Sequence, residues 1–350
     1  MHLRDARIGP CLIATLIAVG VCYAKWPEFV NSSLSQMHLG AAFEQPNSSQ
    51  YVRKLSWSSD SRKLLTVAHG EVGLDGSLVV HDLDDPPHRL PIDVTGEWVT
   101  TAALSPDGRH VLVATLTGKL WWIALESDQR TTLLELPRAR GFSAAALSAD
   151  GRHVAAATTD GFVYLCDPAR GATTLLSSGL QCRSSDMRFS EDGRWLLSAG
   201  QNGWLSVWEV QTGKLHQSWK GHDQAAMAAG FLPDDQILSA SLDDSVRIWN
   251  RASSQEIWRG EFGLGRVHAL ALSADGKTAA WGGGQSRVIV WDLEKSRKKY
   301  EIQVTASTVW DVQFSPDNRH LAVAGSEARV HLYDAQTGAE SQGLQVGQNL

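Results

Sequence analysis

The sequence predicts an all-β chain, a seven-bladed β-propeller of four-stranded blades over residues 51–350, preceded by one N-terminal hydrophobic helix. Three observations predict it. First, a turn phrase of Ser/Pro/Asp/Gly type recurs at Asp60, Asp107, Asp150, Asp192, Asp234, Asp275 and Asp317, in steps of 47, 43, 42, 42, 41 and 42 residues. A period of that size held over six intervals marks a repeat architecture. Second, each phrase stands between two short apolar runs, as in LSPDGRHVL around Asp107 and FSPDNRHLA around Asp317, which is the pattern of a β-hairpin. Third, another apolar run ends about 16 residues after each aspartate, in VVHD, WWIA, YLCD, SVWE, RIWN, IVWD and HLYD. A fourth strand follows turns such as Gln211-Thr212-Gly213-Lys214. Four such strands cannot cover both their faces alone, so neighbouring units must stack, and a closed ring of seven leaves little exposed edge.

The chain has 350 residues, 43% hydrophobic and 20% charged, with 31 glycines, 11 prolines and 14 tryptophans. This globular composition excludes long disorder, collagen and a multi-span membrane protein. The formal charge of −6 becomes −7 beyond residue 30, and no basic stripe interrupts it. Nucleic-acid binding, which draws most of its affinity from neutralising phosphates, is therefore not expected.

From the amino terminus, Arg4 and Arg7 precede the uncharged apolar run Ile8 to Ala24, and Lys25 and Trp26 follow it. Seventeen residues is the lower limit for a membrane span, and the densest part, Cys11 to Ala24, fits the core of a secretory signal. Residues 1–25 thus read as a signal anchor, with Trp26 at the interface, or as a signal peptide cleaved near Ala24. The anchor is preferred because Cys22 and Tyr23 make an untidy cleavage site. Both readings export the remainder, to the periplasm if the source is Gram-negative. Residues 26–50, rich in Ser, Gln and Asn and without a period, read as a linker. The tail GAESQGLQVGQNL, residues 338–350, is spaced from Tyr333 as Gly213 is from Trp208, and is expected to form the outer strand of the last blade. A linker strand at Gln36 to Phe43 is the alternative closure.

The repeats resemble the Trp-Asp (WD) repeat family over about residues 51–350. The fifth copy carries the resemblance best, with Gly221-His222 upstream and SASLDDSVRIWN from Ser239 to Asn250. In that family a His, a Ser/Thr, an Asp and the Trp form a buried hydrogen-bonded tetrad, which by position implies His222, Ser241, Asp243 and Trp249. The other copies depart from it: none keeps Gly-His in register, and the terminal Trp is replaced by His81, Ile123, Cys166 and Tyr333 in four of them.

No catalytic site, cofactor site or metal site is expected. His222, Ser241 and Asp243 imitate a hydrolase set but coincide with the tetrad, and no G-x-S-x-G elbow presents a nucleophile. Gly263-Leu264-Gly265 and Gly282-Gly283-Gly284 lack the residues of dinucleotide or phosphate loops and read as turns between strands. Six residues before each turn aspartate stand Lys54, Thr101, Ala144, Asp186, Ala228, Ala269 and Asp311, too few carboxylates for a channel calcium. The histidines are scattered, with His110, His153 and His320 expected to be exposed, and a Cys166–Cys182 disulfide is not expected.

In relatives of this family the residues just before the innermost strands line one face around the channel. The resemblance places Tyr51, Arg53, Trp98, Arg183, Arg266, His268 and Trp310 there, beside the loop from His69 to Gly76. Aromatic and arginine side chains dominate binding hot spots, so this face is the expected site for a protein or peptide partner. The expected function is a non-enzymatic interaction scaffold, exported and membrane-tethered through residues 8–24. The alternatives are an extracytoplasmic propeller enzyme of lactonase or dehydrogenase-subunit type, or a structural subunit of a larger membrane complex.

Overall fold

In the recurring turn phrase, local hydrogen bonding accounts for the repeated residues. In six blades a serine hydroxyl donates to the aspartate two positions on, at 2.5–2.6 Å, in the pairs Ser58–Asp60, Ser105–Asp107, Ser148–Asp150, Ser190–Asp192, Ser273–Asp275 and Ser315–Asp317. The same carboxylate accepts the backbone N–H two residues later, at 3.0 Å each time. The serine oxygen accepts the N–H five residues on, at the first residue of the next strand or, for His153, just before it. One short polar phrase thus satisfies the turn's own backbone and fixes the register of the hairpin.

A computed structural model describes residues 50–70, 77–84, 89–137, 140–177 and 183–346. The apolar segment 8–24, the linker up to residue 49, the alternative closing strand Gln36 to Phe43, most of the His69 to Gly76 loop and Cys182 lie outside the described residues. The described residues form 28 strands, numbered β1 to β28 in chain order, and contain no helix. They pair antiparallel in seven sheets of four consecutive strands each. The first blade is β1 (Gln50–Trp57), β2 (Lys63–Gly70), β3 (Ser77–Asp82) and β4 (Arg89–Ile92). The innermost strands of the other blades are β5 (Val99–Leu104), β9 (Phe142–Leu147), β13 (Ser184–Phe189), β17 (Ala226–Leu232), β21 (Val267–Leu272) and β25 (Val309–Phe314). Each inner strand meets the next, and β1 meets β25, so the ring is closed.

Seven hydrophobic clusters fill the seven seams between neighbouring blades. Successive residues of a strand point to opposite faces. In β2, Leu64 and Ala68 enter the seam with blade seven, while Leu65 and Val67 enter the seam with blade two. Both faces are covered, which is why the inner strands read as apolar runs rather than as alternation.

The tail supplies β28 (Glu340–Gln345), which pairs with β27 (Arg329–Asp334). Its Leu344 and the following Val346 enter the seam between blades seven and one. Hydrogen bonds cross that seam as well: Leu55 N–H to Asp311 Oδ2 at 2.8 Å, Trp57 Nε1–H to Gln313 O at 3.3 Å and Asp317 N–H to Ser61 Oγ at 3.0 Å. Two local readings need correction. Gly282 and Gly283 end strand β22 (Thr278–Gly283) instead of forming a turn, because glycine is what the close packing there requires: a Cβ on Gly283 would lie 1.8 Å from Arg266 O. His110, His153 and His320 are half-buried, not exposed.

The tail's place in the closing seam yields a prediction. Truncation after Ala339 should lower the melting temperature by several degrees, and Leu344→Ala, an emptied core site worth about 2–4 kcal/mol, should lower it by about 5 °C or more. Unchanged melting of the truncated chain would remove β28 from the closure.

Candidate interaction face at the channel mouth

All seven inner strands bulge at the same place. The register shifts leave Arg53, Thr100, Ser143, Ser185, Met227, His268 and Trp310 as the extra residues. A bulge kinks the strand and re-aims one side chain, so the fold sets a ring of seven positions whose residue types are free to vary. Two residues earlier in each copy stand Tyr51, Trp98, Gly141, Arg183, Ala225, Arg266 and Thr308.

Five aromatic rings from blades one, two, six and seven form a continuous arc. Tyr51 stacks on His69 with centroids 5.8 Å apart, His69 meets Trp98 at 5.4 Å, Tyr51 meets Trp310 at 6.4 Å, and Trp310 meets His268 at 4.9 Å. Tyr51, Trp98 and Trp310 are half-buried, whereas His69 and His268 are 4% and 8% exposed. Arg53 acts electrostatically on His69, Arg183 and His268, and Arg266 acts on His268. The face residues proposed from sequence therefore come together around Arg53. Burial and neighbouring arginines hold His69 down to about 3 and His268 to about 4, so both are neutral. Burial, reinforced by Arg53, pushes Arg183 down to about 10.

One residue further along the inner strands the charges balance. Asp311 of blade seven, wholly buried, lies within the electrostatic influence of Lys54 of blade one and of Asp186 and Arg188 of blade four. Burial pushes its carboxyl up. Arg188 pairs with Asp186 at 3.2 Å and donates to Leu270 O at 3.1 Å. The two carboxylates brace neighbouring inner strands, Asp311 through Leu55 N–H and Asp186 through Ala229 N–H at 3.4 Å.

The tetrad of the fifth blade needs one correction. Trp249 Nε1–H donates to Ser239 Oγ at 2.8 Å, Ser239 Oγ lies 2.7 Å from His222 Nε2, and His222 Nδ1 lies 3.1 Å from Asp243 Oδ2. The serine is Ser239, not Ser241. Both lie on one face of β18 (Gln236–Ser241), but Ser239 pairs with Arg247, two residues from Trp249, and so is the one within reach. Ser241 Oγ instead accepts Asp243 N–H at 3.1 Å. The indole can only donate, so Ser239 passes its own proton to Nε2 and Nδ1–H donates to Asp243. Burial lowers His222 to about 4 and keeps this neutral tautomer, while the hydrogen bond from Ser245 helps hold Asp243 down to about 2. With His222 and Ser239 1% and 0% exposed, the set carries no accessible nucleophile.

Elsewhere the equivalent positions are filled differently. In blade one His81 Nε2 lies 3.1 Å from Thr66 Oγ1, the counterpart of Ser239. In blade six Trp281 takes the serine position and packs on Trp291 and Phe262. Cys166 is a buried free thiol, its pKa raised by burial.

Ser239→Ala should cost about 1–3 kcal/mol, since it strands the Trp249 and His222 nitrogens, and Ser241→Ala should cost clearly less. Equal melting of the two variants would reject the assignment. The histidines predict a pH dependence too. His69, His81, His222 and His268 all sit below the usual 6.5. Each therefore binds its proton more readily when unfolded, so its contribution is complete above pH 6.5 and is lost as pH falls toward 4. Stability should fall between pH 7 and 5 by on the order of 1 kcal/mol or more per histidine, measurable by urea unfolding. Asp243, also held below its ordinary value, runs the same way in a lower window, its contribution lost only as pH drops from 3.8 toward 2.

Comparison with known proteins places this geometry. Residues 178–209, 213–250 and 297–334 match the family described as "WD domain, G-beta repeat". The chain is similar to SIR4-interacting protein SIF2 of Saccharomyces cerevisiae, 30% identical over 115 residues, 33% of this chain and 22% of that protein. It is similar to small ribosomal subunit protein RACK1y of Oryza sativa, 29% identical over 210 residues, 45% and 62% of the two chains. WD repeat and SOCS box-containing protein 1 of Homo sapiens is 28% identical over 113 residues, 31% and 26%. The chain thus spans less than two thirds of the length of these relatives. The described residues thus form a seven-bladed β-propeller of four-stranded blades in which three segments match the WD-repeat model.

Proposed function

We propose that the protein is an exported, membrane-tethered propeller that serves as a non-enzymatic platform, binding a protein or peptide partner on the channel-mouth face. The observation that carries this reading is the arc of Tyr51, His69, Trp98, His268 and Trp310 around Arg53. Partly exposed aromatic rings beside arginines, held on inner strands that the whole ring keeps rigid, offer large contact area at small entropic cost. Relatives whose names denote interaction, such as SIR4-interacting protein SIF2, agree with a platform role. Export and tethering rest on the sequence: two arginines followed by the uncharged run Ile8 to Ala24. Within this reading the buried tetrad and the charge-balanced layer beneath the mouth are supports that keep the face rigid.

The test is a pull-down of the tagged full-length protein from detergent-solubilised host membranes, beside a Trp98→Ala, Arg266→Ala, Trp310→Ala variant with unchanged melting. Partners captured by the unaltered protein and lost with the variant are expected; partners retained in full would move the binding surface elsewhere. Alkaline carbonate extraction tests the tether: the full chain should stay with the membrane pellet and a chain lacking residues 1–25 should not.

A further inference from the structure

The seam between blades two and three lacks a plug that the other six have. In six blades the residue after the third strand, Leu83, Leu125, Val210, Arg251, Leu293 or Ala335, donates its N–H to a carbonyl of the first hairpin turn at 2.8–2.9 Å. The five apolar ones join the hydrophobic cluster of the seam with the preceding blade. In blade three the residue is Pro168, which has no N–H to give. At this place the seam holds an open cavity of about 280 Å³, whose walls include Pro106, Asp107, His110 and Trp122 of blade two and Asp150 and Pro168 of blade three.

Blade five shows what fits such a place. Its plug, Arg251, is 8% exposed and lays its guanidinium over Trp195 of blade four, 4.1 Å from the ring centroid. His216 backs that ring at 4.7 Å. One carboxylate from the first hairpin turn of each blade acts on the charge, Asp235 through an ion pair of 2.5 Å and Asp192 electrostatically. The cavity offers the same parts. His110 opens its strand, β6 (His110–Thr115), as Trp195 opens β14 (Trp195–Gly200), and it stacks on Trp122 with centroids 5.1 Å apart and planes 13° from parallel. Asp107 and Asp150 again come from the first hairpin turn of each blade. Their Oδ1 atoms serve those turns, as that of Asp192 does. Their ion pairs are long and wet: His110 Nδ1 lies 4.0 Å from Asp107, and Arg152, its side chain 81% exposed, lies 3.9 Å from Asp150 Oδ2.

We infer that the cavity between blades two and three takes an arginine side chain of a partner peptide, in the way that Arg251 fills the seam between blades four and five. The guanidinium meets the His110–Trp122 pair and the carboxylates of Asp107 and Asp150, and the methylene stem lies against Pro106 and Pro168. A flat, weakly hydrated guanidinium suits stacked rings flanked by carboxylates better than a compact ammonium does. The cavity adjoins the turn that follows β5, at the opposite end of that strand from its bulge at Thr100. It is therefore a site apart from the channel mouth and stands independently of the platform reading.

Fluorescence anisotropy of the detergent-solubilised full-length protein would use a labelled peptide of alanine, leucine and serine with one central arginine, beside the same peptide with citrulline or lysine there. The arginine peptide should bind at least about tenfold tighter than the citrulline peptide, which keeps the shape without the charge, and tighter than the lysine peptide. Pro168→Leu, which installs the plug found in blades one, two and six, should weaken binding about tenfold or more, with melting unchanged or raised. Asp107→Asn with Asp150→Asn, which leaves each turn an acceptor, should bring the arginine peptide down to the level of the citrulline peptide. The Trp98→Ala, Arg266→Ala, Trp310→Ala variant should bind the arginine peptide as the unaltered protein does. Equal affinity for the arginine and citrulline peptides, or undiminished binding by Pro168→Leu, would overturn the inference. So would equal binding of the lysine peptide, loss of binding in the channel-mouth variant, or competition by free arginine amide as strong as by the unlabelled peptide, which would leave a small-cation site only.

Discussion

Everything in this fold depends on the seam between blades one and seven. A four-stranded blade exposes two apolar faces, and only its two neighbours can cover them, so six seams are secure only if the seventh closes. Among the described residues each sheet is built from four consecutive strands, so no described strand is exchanged between the two ends of the chain to latch the ring. Closure rests instead on a buried cluster from Val52 to Val346 and on a few hydrogen bonds, of which Leu55 N–H to Asp311 lies deepest. Burial of Asp311 raises its carboxyl pKa, and Lys54 opposes the shift. The residue that braces the seam is thus also part of the channel's charge balance.

The blades reach the same shape by two chemistries. Blade five is wired by the Trp249–Ser239–His222–Asp243 chain, in which each hydrogen bond fixes the direction of the next. Blade six drops the wiring and fills the same space with Trp281, Trp291 and Phe262. A buried polar chain is worth keeping only if complete, because one missing member leaves unsatisfied atoms, whereas aromatic filling tolerates variation one residue at a time. This explains how four of seven terminal tryptophans can be replaced without loss of the architecture.

What could be read from the sequence follows from where the physics is local. The Ser-x-Asp phrase was legible because its hydrogen bonds close within five residues, and the recurrence of its aspartate marked seven hairpins, while the spacing of the tail from Tyr333 marked the outer strand of the last blade. The tetrad was legible to within two residues. Ser239 and Ser241 share a strand face, and only the register against Trp249, a pairing between strands, selects Ser239. Gly282 and Gly283 were misread for a related reason: glycine marks a tight turn and a close approach alike, and the approach comes from Val309 at Gly282 and from the backbone of Arg266, seventeen residues away in sequence, at Gly283. The seven bulges left no trace, since the bulged residues are Arg, Thr, Ser, Ser, Met, His and Trp. The backbone fixes the position and leaves the side chain free.

That freedom is what makes the channel mouth specific to this chain. The layer beneath it, with Lys54, Arg188, Asp186 and Asp311, pairs its charges and ties inner strands to one another, so its residues answer to the fold. At the mouth the residue types differ from blade to blade, and His69 Nε2 and His268 Nδ1 are buried without a hydrogen-bond partner among the described residues. Burying those ring nitrogens opposes folding through desolvation. Side chains at positions that do not answer to the fold are the ones that the platform reading assigns to a partner, because they can change without loss of the ring.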